Sequence, residues 1–517
     1  MRLTWDVGYE DYADTEHWLP RFAELKLIAD RFSIQTAAGL DDVTLLNRIE
    51  DISELMRYYC ASHDMQHLEP VMRKYNDALQ LCRSRCLSGV EPFYLEMLFQ
   101  RLNAILYRGH GQNKRGAEEY EKCLQTARQC FAALKTARHL SDEQVFFVGW
   151  SCIECFREAA QASDVIMDAQ SHYRIVQETL PMLRWLEPMI EDAPGICDQA
   201  SELYIALSSP AYSHGDFDVV TECFGHAYQL LNGLDERIGS DFYRARAIYV
   251  LNSYGVLEQG YNGNISSVLR SEKEADEFLA TRRPNRRDRA IIDGVKAVVA
   301  NQRSIFLTQQ GKIEEALEIA KNAMAELEVC LDILKEDRDN HDGHYRDTIS
   351  NVISRMFNSY VVSLNTVGSI AIQDSDNVLA EMMFKELLDK LVNNKEFSPA
   401  GSAHALLQAN ALQQLAIIAL DDGDGYQADF YGTQAADLAF EISKQNRNEF
   451  VLSIAIGSCA IVSELALNSK NKPKAAKYAD MGLQVCSVLS KVSPQNNALQ
   501  LESSFEKFKK KASRRFF

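Results

Sequence analysis

Little in this sequence interrupts a helix. Its 517 residues include only 11 prolines and 25 glycines, and no low-complexity linker separates one stretch from another. That scarcity excludes turn-rich β architectures and suits long helices. Positive charge is also in deficit. The formal net charge is −18, which disfavours wholesale binding to nucleic acid or to an anionic membrane, since both reward basic surfaces. No uninterrupted apolar run of about 18 residues is evident, so no transmembrane helix is expected. The N-terminal MRLTWDVGYEDYADTEHW has no basic region followed by an apolar run, so no secretory signal is expected there. The 12 cysteines are scattered through helical patterns, as at Cys123, Cys130, Cys223, Cys330, Cys459 and Cys486. They read as small buried hydrophobes of a cytoplasmic protein, not as a disulfide framework.

Catalytic signatures are missing too. There is no GxxxxGK[ST], GxSxG or HExxH. Cys152 and Cys155 form a CxxC inside the helical pattern WSCIECFREAA, with no second pair at zinc spacing, and read as core cysteines. His63 and His67 share a helix face without a third ligand nearby. His341, Asp342 and His344 fall in a solvated loop. DDGDG at 421–425 lacks calcium-loop spacing and is explained as a turn. No catalytic residue, metal or cofactor is expected, and no small-molecule substrate is evident.

What is present is helical periodicity and a repeat. The clearest stretch is GKIEEALEIAKNAMAEL at 311–327. Gly311 ends one helix in the left-handed conformation that glycine enters freely. Ala316, Ala320 and Ala323 then share one face of the next helix, where small side chains admit a close neighbour. Comparable anchors stand at Val71, Ala117, Ala169, Val220, Ser267, Ala380, Ala428 and Ala475. Most successive anchors lie about 48 residues apart, which implies helices of about 20 residues, or roughly 30 Å. The interval from Ala316 to Ala380 is 64, and the turn-rich LKEDRDNHDGHYRD at 334–347 is expected to hold the excess. A small residue precedes the later anchors by about twelve positions: Ser208, Gly255, Ser304, Gly368, Ala416 and Ser463.

This set resembles the tetratricopeptide repeat, clearly over 195–490 and faintly over 55–195, although the period exceeds the family's 34 residues. The resemblance implies an all-α fold: a right-handed superhelix of stacked antiparallel helix hairpins, whose inner helices line a concave surface. Stacking is required because one hairpin cannot bury its apolar face alone. Three regions are expected: an aromatic-acidic arm or cap at 1–20, the solenoid at 21–490, and a capping helix with a basic tail at 491–517. In the arm, Trp5, Tyr9, Tyr12 and Trp18 alternate with acids, and either cover the first helices or dock elsewhere. In the last helix, Leu499, Leu501, Phe505 and Phe508 are expected to face inward.

The family's geometry also places the residue three before each small position on the concave side. Those residues are Ile205, Asn252, Asn301, Asn365 and Gln413. The resemblance implies that Asn252, Asn301, Asn365 and Gln413 contact the backbone of an extended peptide, since an amide both donates and accepts. The alternative is that they solvate the surface. Arg282, Arg283, Arg286 and Arg287 in TRRPNRRDR either bind a partner's carboxylates or phosphates, or pair with acidic neighbours in the chain. Lys507, Lys509, Lys510, Lys511, Arg514 and Arg515 form a basic end that either caps its helix or contacts an anionic partner or lipid. Residues 20–60 are not basic enough to enter a DNA groove.

The expected function is a non-enzymatic scaffold or adaptor whose groove binds a protein or an extended peptide. The second reading is a regulatory receptor for a short signalling peptide that acts on a partner protein.

Overall fold

The computed structural model describes residues 15–61, 65–85, 87, 89–109, 111–163, 169–190, 194–340, 343–394, 402–445, 449–492 and 498–513. Residues 1–14 of the arm expected at 1–20, with His63, His341, Asp342 and Arg514–Phe517, lie outside them, as do the side chains of Trp18, Ala169, His344 and Leu499. Among the described residues every element is a helix. The first seven are α1 (Thr15–Arg31), α2 (Ile34–Ala37), α3 (Asp42–Ala61), α4 (Met65–Ser84), α5 (Val90–Gly109), α6 (Asn113–Leu134) and α7 (Asp142–Ser163). Next come α8 (Ala169–Ile190), α9 (Pro194–His214), α10 (Phe217–Ile238), α11 (Asp241–Asn262), α12 (Ser266–Thr281), α13 (Arg286–Gln309) and α14 (Ile313–Asp339). The last are α15 (Gly343–Gln373), α16 (Asn377–Asn393), α17 (Ser402–Asp421), α18 (Gly425–Gln445), α19 (Glu449–Asn468), α20 (Lys472–Val492) and α21 (Ala498–Ser513). The helix that includes the end of the expected arm thus starts at Thr15, before the expected boundary at 20.

The chain divides into two compact units, Met1–Cys223 and Phe224–Phe517, with the border inside α10. In each unit, successive helices pack against one another as antiparallel hairpins, the tetratricopeptide-like arrangement. In the first unit, Tyr75 is buried on α4 and donates to the Leu95 carbonyl of α5 at 2.9 Å. Arg101 of α5 bonds Glu158 of α7, and Cys123 and Cys130 of α6 face Cys155 and Cys152 of α7. All four thiols are fully buried, and burial pushes Cys152 well above the ordinary thiol range. The CxxC therefore belongs to the α6–α7 core. His67 is exposed and stacks on Tyr59 at 5.5 Å.

The hairpins turn by one device. Positive φ occurs at Gly215, Gly263, Gly311, Ser375, Gly423 and Lys470, spaced 48, 48, 64, 48 and 47 residues apart. At five of these turns, all but Gly263, two backbone bonds close the first helix. Around Gly311, the Lys312 N–H reaches the Leu307 carbonyl at 3.0 Å and the Gly311 N–H reaches Thr308 at 3.0 Å. The same pair of bonds satisfies orphan carbonyls at the other four turns. In four of the five, the next residue caps the second helix. Asp216, Asp376, Asp424 and Asn471 accept from Val219, Leu379, Gln427 and Lys474 respectively. DDGDG is accordingly a turn, as its spacing suggested. Ser375 and Lys470 hold the left-handed conformation without being glycine, which costs each about 1 kcal/mol. Ser375→Gly and Lys470→Gly are each expected to stabilise their hairpin by about that amount, read as slower amide exchange in the flanking helices.

The anchors Val220, Ala316, Ala380, Ala428 and Ala475 are fully buried. Ser267 is only half-buried because it lies one position early: Val268, five residues after Gly263 as Ala316 is five after Gly311, is the buried residue of that hairpin. Ala117 is likewise half-buried, beside a buried Gly116. The small first-helix positions make close approaches. A Cβ on Gly255 would lie 2.6 Å from the Val268 nitrogen, and one on Gly368 would lie 2.9 Å from Phe384.

Three expectations are corrected. The long 64-residue interval is not a turn-rich insertion: α14 has 27 residues and α15 has 31, so the excess is helix. Cys330, Leu331 and Leu334 are buried in the same cluster as Ile349, Val352 and Ile353, which keeps both ends helical. Leu501 is exposed, while Phe505 is buried where a Cβ on Gly482 would sit 2.4 Å from its ring. Finally, α19 holds a span, Phe450–Asn468, that is long and apolar enough to cross a bilayer. It is a core helix here: Val451, Leu452, Ala455, Cys459 and Val462 are fully buried between α18 and α20.

Candidate partner-binding face

The first helices α13, α15, α17 and α19 lie side by side, each in contact with the next. Polar side chains join them. Asn301 of α13 donates to Thr366 Oγ1 of α15 at 3.5 Å, and its own Oδ1 has no partner among the described residues. Asn410 of α17 donates to Asn365 Oδ1 of α15 at 2.8 Å. His404 of α17 contacts Asn358 of α15. Gln413 of α17 donates to the Ile454 carbonyl of α19 at 3.0 Å. It reaches that carbonyl because position 457 is glycine: a Cβ there would lie 2.4 Å from Gln413 Nε2.

These contacts relocate the expected ladder. Asn252 and Asn301 are 2% exposed and Gln413 is 9% exposed, so none of the three is open to a peptide in this arrangement. Asn252 instead bonds Ser271 of α12 at 3.0 Å. Buried amides must find partners inside the fold, and neighbouring helices supply them. Of the four, Asn365 alone is half-exposed, as is Ile205 in the first unit.

Beside the buried amides runs a half-exposed strip that the spacing argument missed. On α15 it comprises Ser354, Asn358, Val362, Asn365 and Ser369. On α17 it comprises His404, Leu407 and Gln414, which share one side of the helix at spacings of three and seven. Residues 348–373 and 402–420 contain no Asp or Glu. The acid sits on the second helices instead: α14 has Glu314, Glu315, Glu318, Glu326, Glu328, Asp332, Glu336, Asp337 and Asp339. In a chain of net charge −18, these first helices thus present amides and hydroxyls free of carboxylate. The signal was available in the sequence as the contrast between acid-bearing α14, α16 and α18 and the acid-free stretches of α15 and α17.

The arginines are largely committed within the chain. Arg282 forks onto Asp235 at 2.7 and 2.8 Å and reaches Asp241 at 3.0 Å. Arg286 pairs with Glu336 at 2.7 Å. Arg287 bonds Asp288 at 2.6 Å and lies 4.3 Å from the Phe242 ring centroid. The Asp235 bond, with Asp241 and both charges, raises the Arg282 pKa further. Arg283 stays exposed, with no partner among the described residues. Of the basic end, Lys509 pairs with Asp480 at 2.8 Å, and Lys507, Lys510 and Lys511 lie on α21.

One ion-pair group ties α14, α15 and α16 together. Lys390 donates to Glu328 at 2.9 Å, and the buried Tyr360 donates to Glu386 at 3.0 Å and Glu328 at 3.3 Å. The Lys390 bond holds the Glu328 carboxyl below its ordinary value of 4.5. Its stabilising contribution is therefore present above that value and lost as pH falls through the depressed one. Glu328 is 48% exposed, so screening keeps the effect small. Glu328→Gln is expected to flatten the loss of stability below about pH 4.5, measured by urea melts across the acid range.

Among the described residues no group of three His, Cys, Asp or Glu could hold a metal ion. No family model matches the sequence, and no curated protein matches it. Solved structures do. One is PilF of Pseudomonas aeruginosa, at 19% identity and TM-score 0.31, covering 60% of this chain and 98% of that one. Another is the apo form of the quorum sensor NprR from B. thuringiensis, at 12% and 0.36, covering 85% and 99%. A third is a signal-transduction ATPase with a tetratricopeptide repeat sensor from Pyrococcus horikoshii, at 13% and 0.35, covering 90% and 72%.

Proposed function

We propose that this chain is a non-enzymatic scaffold that binds a protein or an extended peptide segment along the half-exposed faces of α15 and α17. The observation that supports this reading is the carboxylate-free strip, rich in amides and hydroxyls, in an otherwise acidic chain. Such a strip offers donors and acceptors together, which suits the backbone of another chain.

Ser369 of α15 and Gln414 of α17 are half-exposed and make no hydrogen bond to a described residue. Changing both to alanine therefore removes surface chemistry without orphaning an internal group, unlike Asn301→Ala. The test is affinity capture from native lysate with wild type and with Ser369→Ala/Gln414→Ala, read by mass spectrometry. The expected result is a partner whose capture falls about tenfold in the variant while circular dichroism is unchanged. A partner set identical in both proteins would remove the α15–α17 face from consideration. Capture of short peptides alone would turn the reading towards a signalling-peptide receptor.

A further inference from the structure

A second surface stands apart from the amide strip, at the start of the second helices. Two consecutive hairpins carry one exposed motif in register. The first reads Asp374-Ser375-Asp376-Asn377-Val378, with Met382 one turn on. The second reads Asp422-Gly423-Asp424-Gly425-Tyr426, with Phe430 one turn on. In each, the second aspartate caps the helix and the first is exposed. In each, an apolar pair four residues apart faces solvent. Val378 is 80% and Tyr426 81% exposed, with Met382 at 55% and Phe430 at 52%.

The two motifs lie on neighbouring helices. Tyr431, next to Phe430, packs against the cluster that holds Ala380 and Phe384 of α16, and Lys385 of α16 is within electrostatic reach of Tyr431. The flanking hairpins differ. At the matching places α14 has the exposed Glu314 and Glu318, and α20 has Pro473 and Lys477. Ile265, just before α12, and Leu269 of α12 form another exposed apolar pair, one position out of that register and without the aspartates. At these two positions the apolar pair is thus confined to α16 and α18, and each of its side chains stays more than half exposed.

We propose that the α16–α18 edge docks a cationic amphipathic helical segment of a partner protein. The apolar pairs would receive its hydrophobic ridge, as helix-in-groove recognition uses anchors one turn apart. Charge identifies the occupant. Asp374, Asp421 and Asp422 are exposed and without partners among the described residues, and Asp376 and Asp424 add charge at the caps. The nearby lysines Lys385 and Lys474 are already paired, with Glu381 and Asp429. An acidic rim around exposed apolar side chains rejects anionic partners and favours Lys and Arg.

The test uses the full-length protein and a labelled amphipathic leucine–lysine peptide, followed by fluorescence anisotropy at two salt concentrations. Wild type is expected to bind it, and the leucine–glutamate counterpart is expected not to bind. Val378→Ser/Tyr426→Ser is expected to weaken binding about tenfold, and Asp374→Asn/Asp422→Asn to weaken it and shallow its salt dependence. Glu314→Gln/Glu318→Gln removes equal charge from the neighbouring hairpin and is expected to leave binding unchanged. All these side chains are exposed, so helicity serves as the check on folding. Equal binding by the Val378/Tyr426 variant, or an equal loss in the Glu314/Glu318 variant, would overturn the proposal as mere attraction to an acidic protein. So would a wild-type dimer in sedimentation that the Val378/Tyr426 variant abolishes, since the occupant would then be a second copy.

Discussion

Replacing Gly255 by alanine is expected to destabilise the α11–α12 hairpin by about 3 kcal/mol, the upper part of the range for an overfilled core. The added Cβ would meet backbone, 2.6 Å from the Val268 nitrogen and 2.9 Å from the Ser267 carbonyl carbon. Backbone atoms have no rotamer to escape into, so the two helices must part. Asn252, one turn earlier on α11, would then lose its bond to Ser271, which adds to the cost. A long repeat array need not unfold in one step, so a global melt would dilute the effect. Amide exchange resolved along α11 and α12 is the appropriate measurement. Protection within about 0.5 kcal/mol of wild type would show that the crossing yields and that this argument fails.

Phe384→Ala is expected to cost about 3–5 kcal/mol, because the ring is fully buried and its removal leaves a cavity between α15 and α16. Gly368 faces that ring: a Cβ there would lie 2.9 to 3.1 Å from three of its atoms. Gly368→Ala alone is expected to cost about 1–3 kcal/mol by forcing the ring aside. The double variant is expected to cost less than the two added together, since the new methyl grows into the space the ring vacates. Strict additivity would mean that the two positions do not share a contact. The contrast with Gly255 is the point of interest: there the obstacle is main chain, and no side-chain deletion can relieve it.

The sequence made the hairpins legible because their requirements are local. Gly311 and Gly423 mark turns through backbone freedom, and Ala316, Ala380, Ala428 and Ala475 mark close packing through size. Gly255 and Gly368 were picked out by spacing and prove to sit where helices nearly touch. Length was harder to read. Charged and glycine-bearing residues at 334–347 suggested a loop, yet α14 runs to Asp339 because burial of Leu331 and Leu334 outweighs local propensity.

The amides were found but misplaced. Asn301 and Gln413 each stand three residues before a buried small residue, Ser304 and Ala416, and so share its helix face; they fall between neighbouring first helices and not on an open groove. The strip that does stay half-exposed, with Ser369 and Gln414, was marked by an absence of carboxylates, which a search for recurring residues does not register. The paired motif at Asp374 and Asp422 lies on exposed positions, where no packing requirement ties residue type to helical spacing.

The unequal length of α14 and α15 bears on how the chain finds its register. Hairpins of matching size and turn chemistry can stack out of order during folding, one repeat sliding into the berth of another. The turns are 48, 48, 64, 48 and 47 residues apart, so a chain displaced by one hairpin must set a 27- or 31-residue helix into a berth cut for about 20. The extra turns, with Cys330 and Leu334 buried on one side and Ile349 and Val352 on the other, would then be left in water. At about 25 cal/mol per Å² of apolar surface, even a few such side chains make the slipped array uncompetitive. The odd pair thus works as a key cut to one lock, disfavouring any arrangement that moves α14 and α15 into a neighbour's berth.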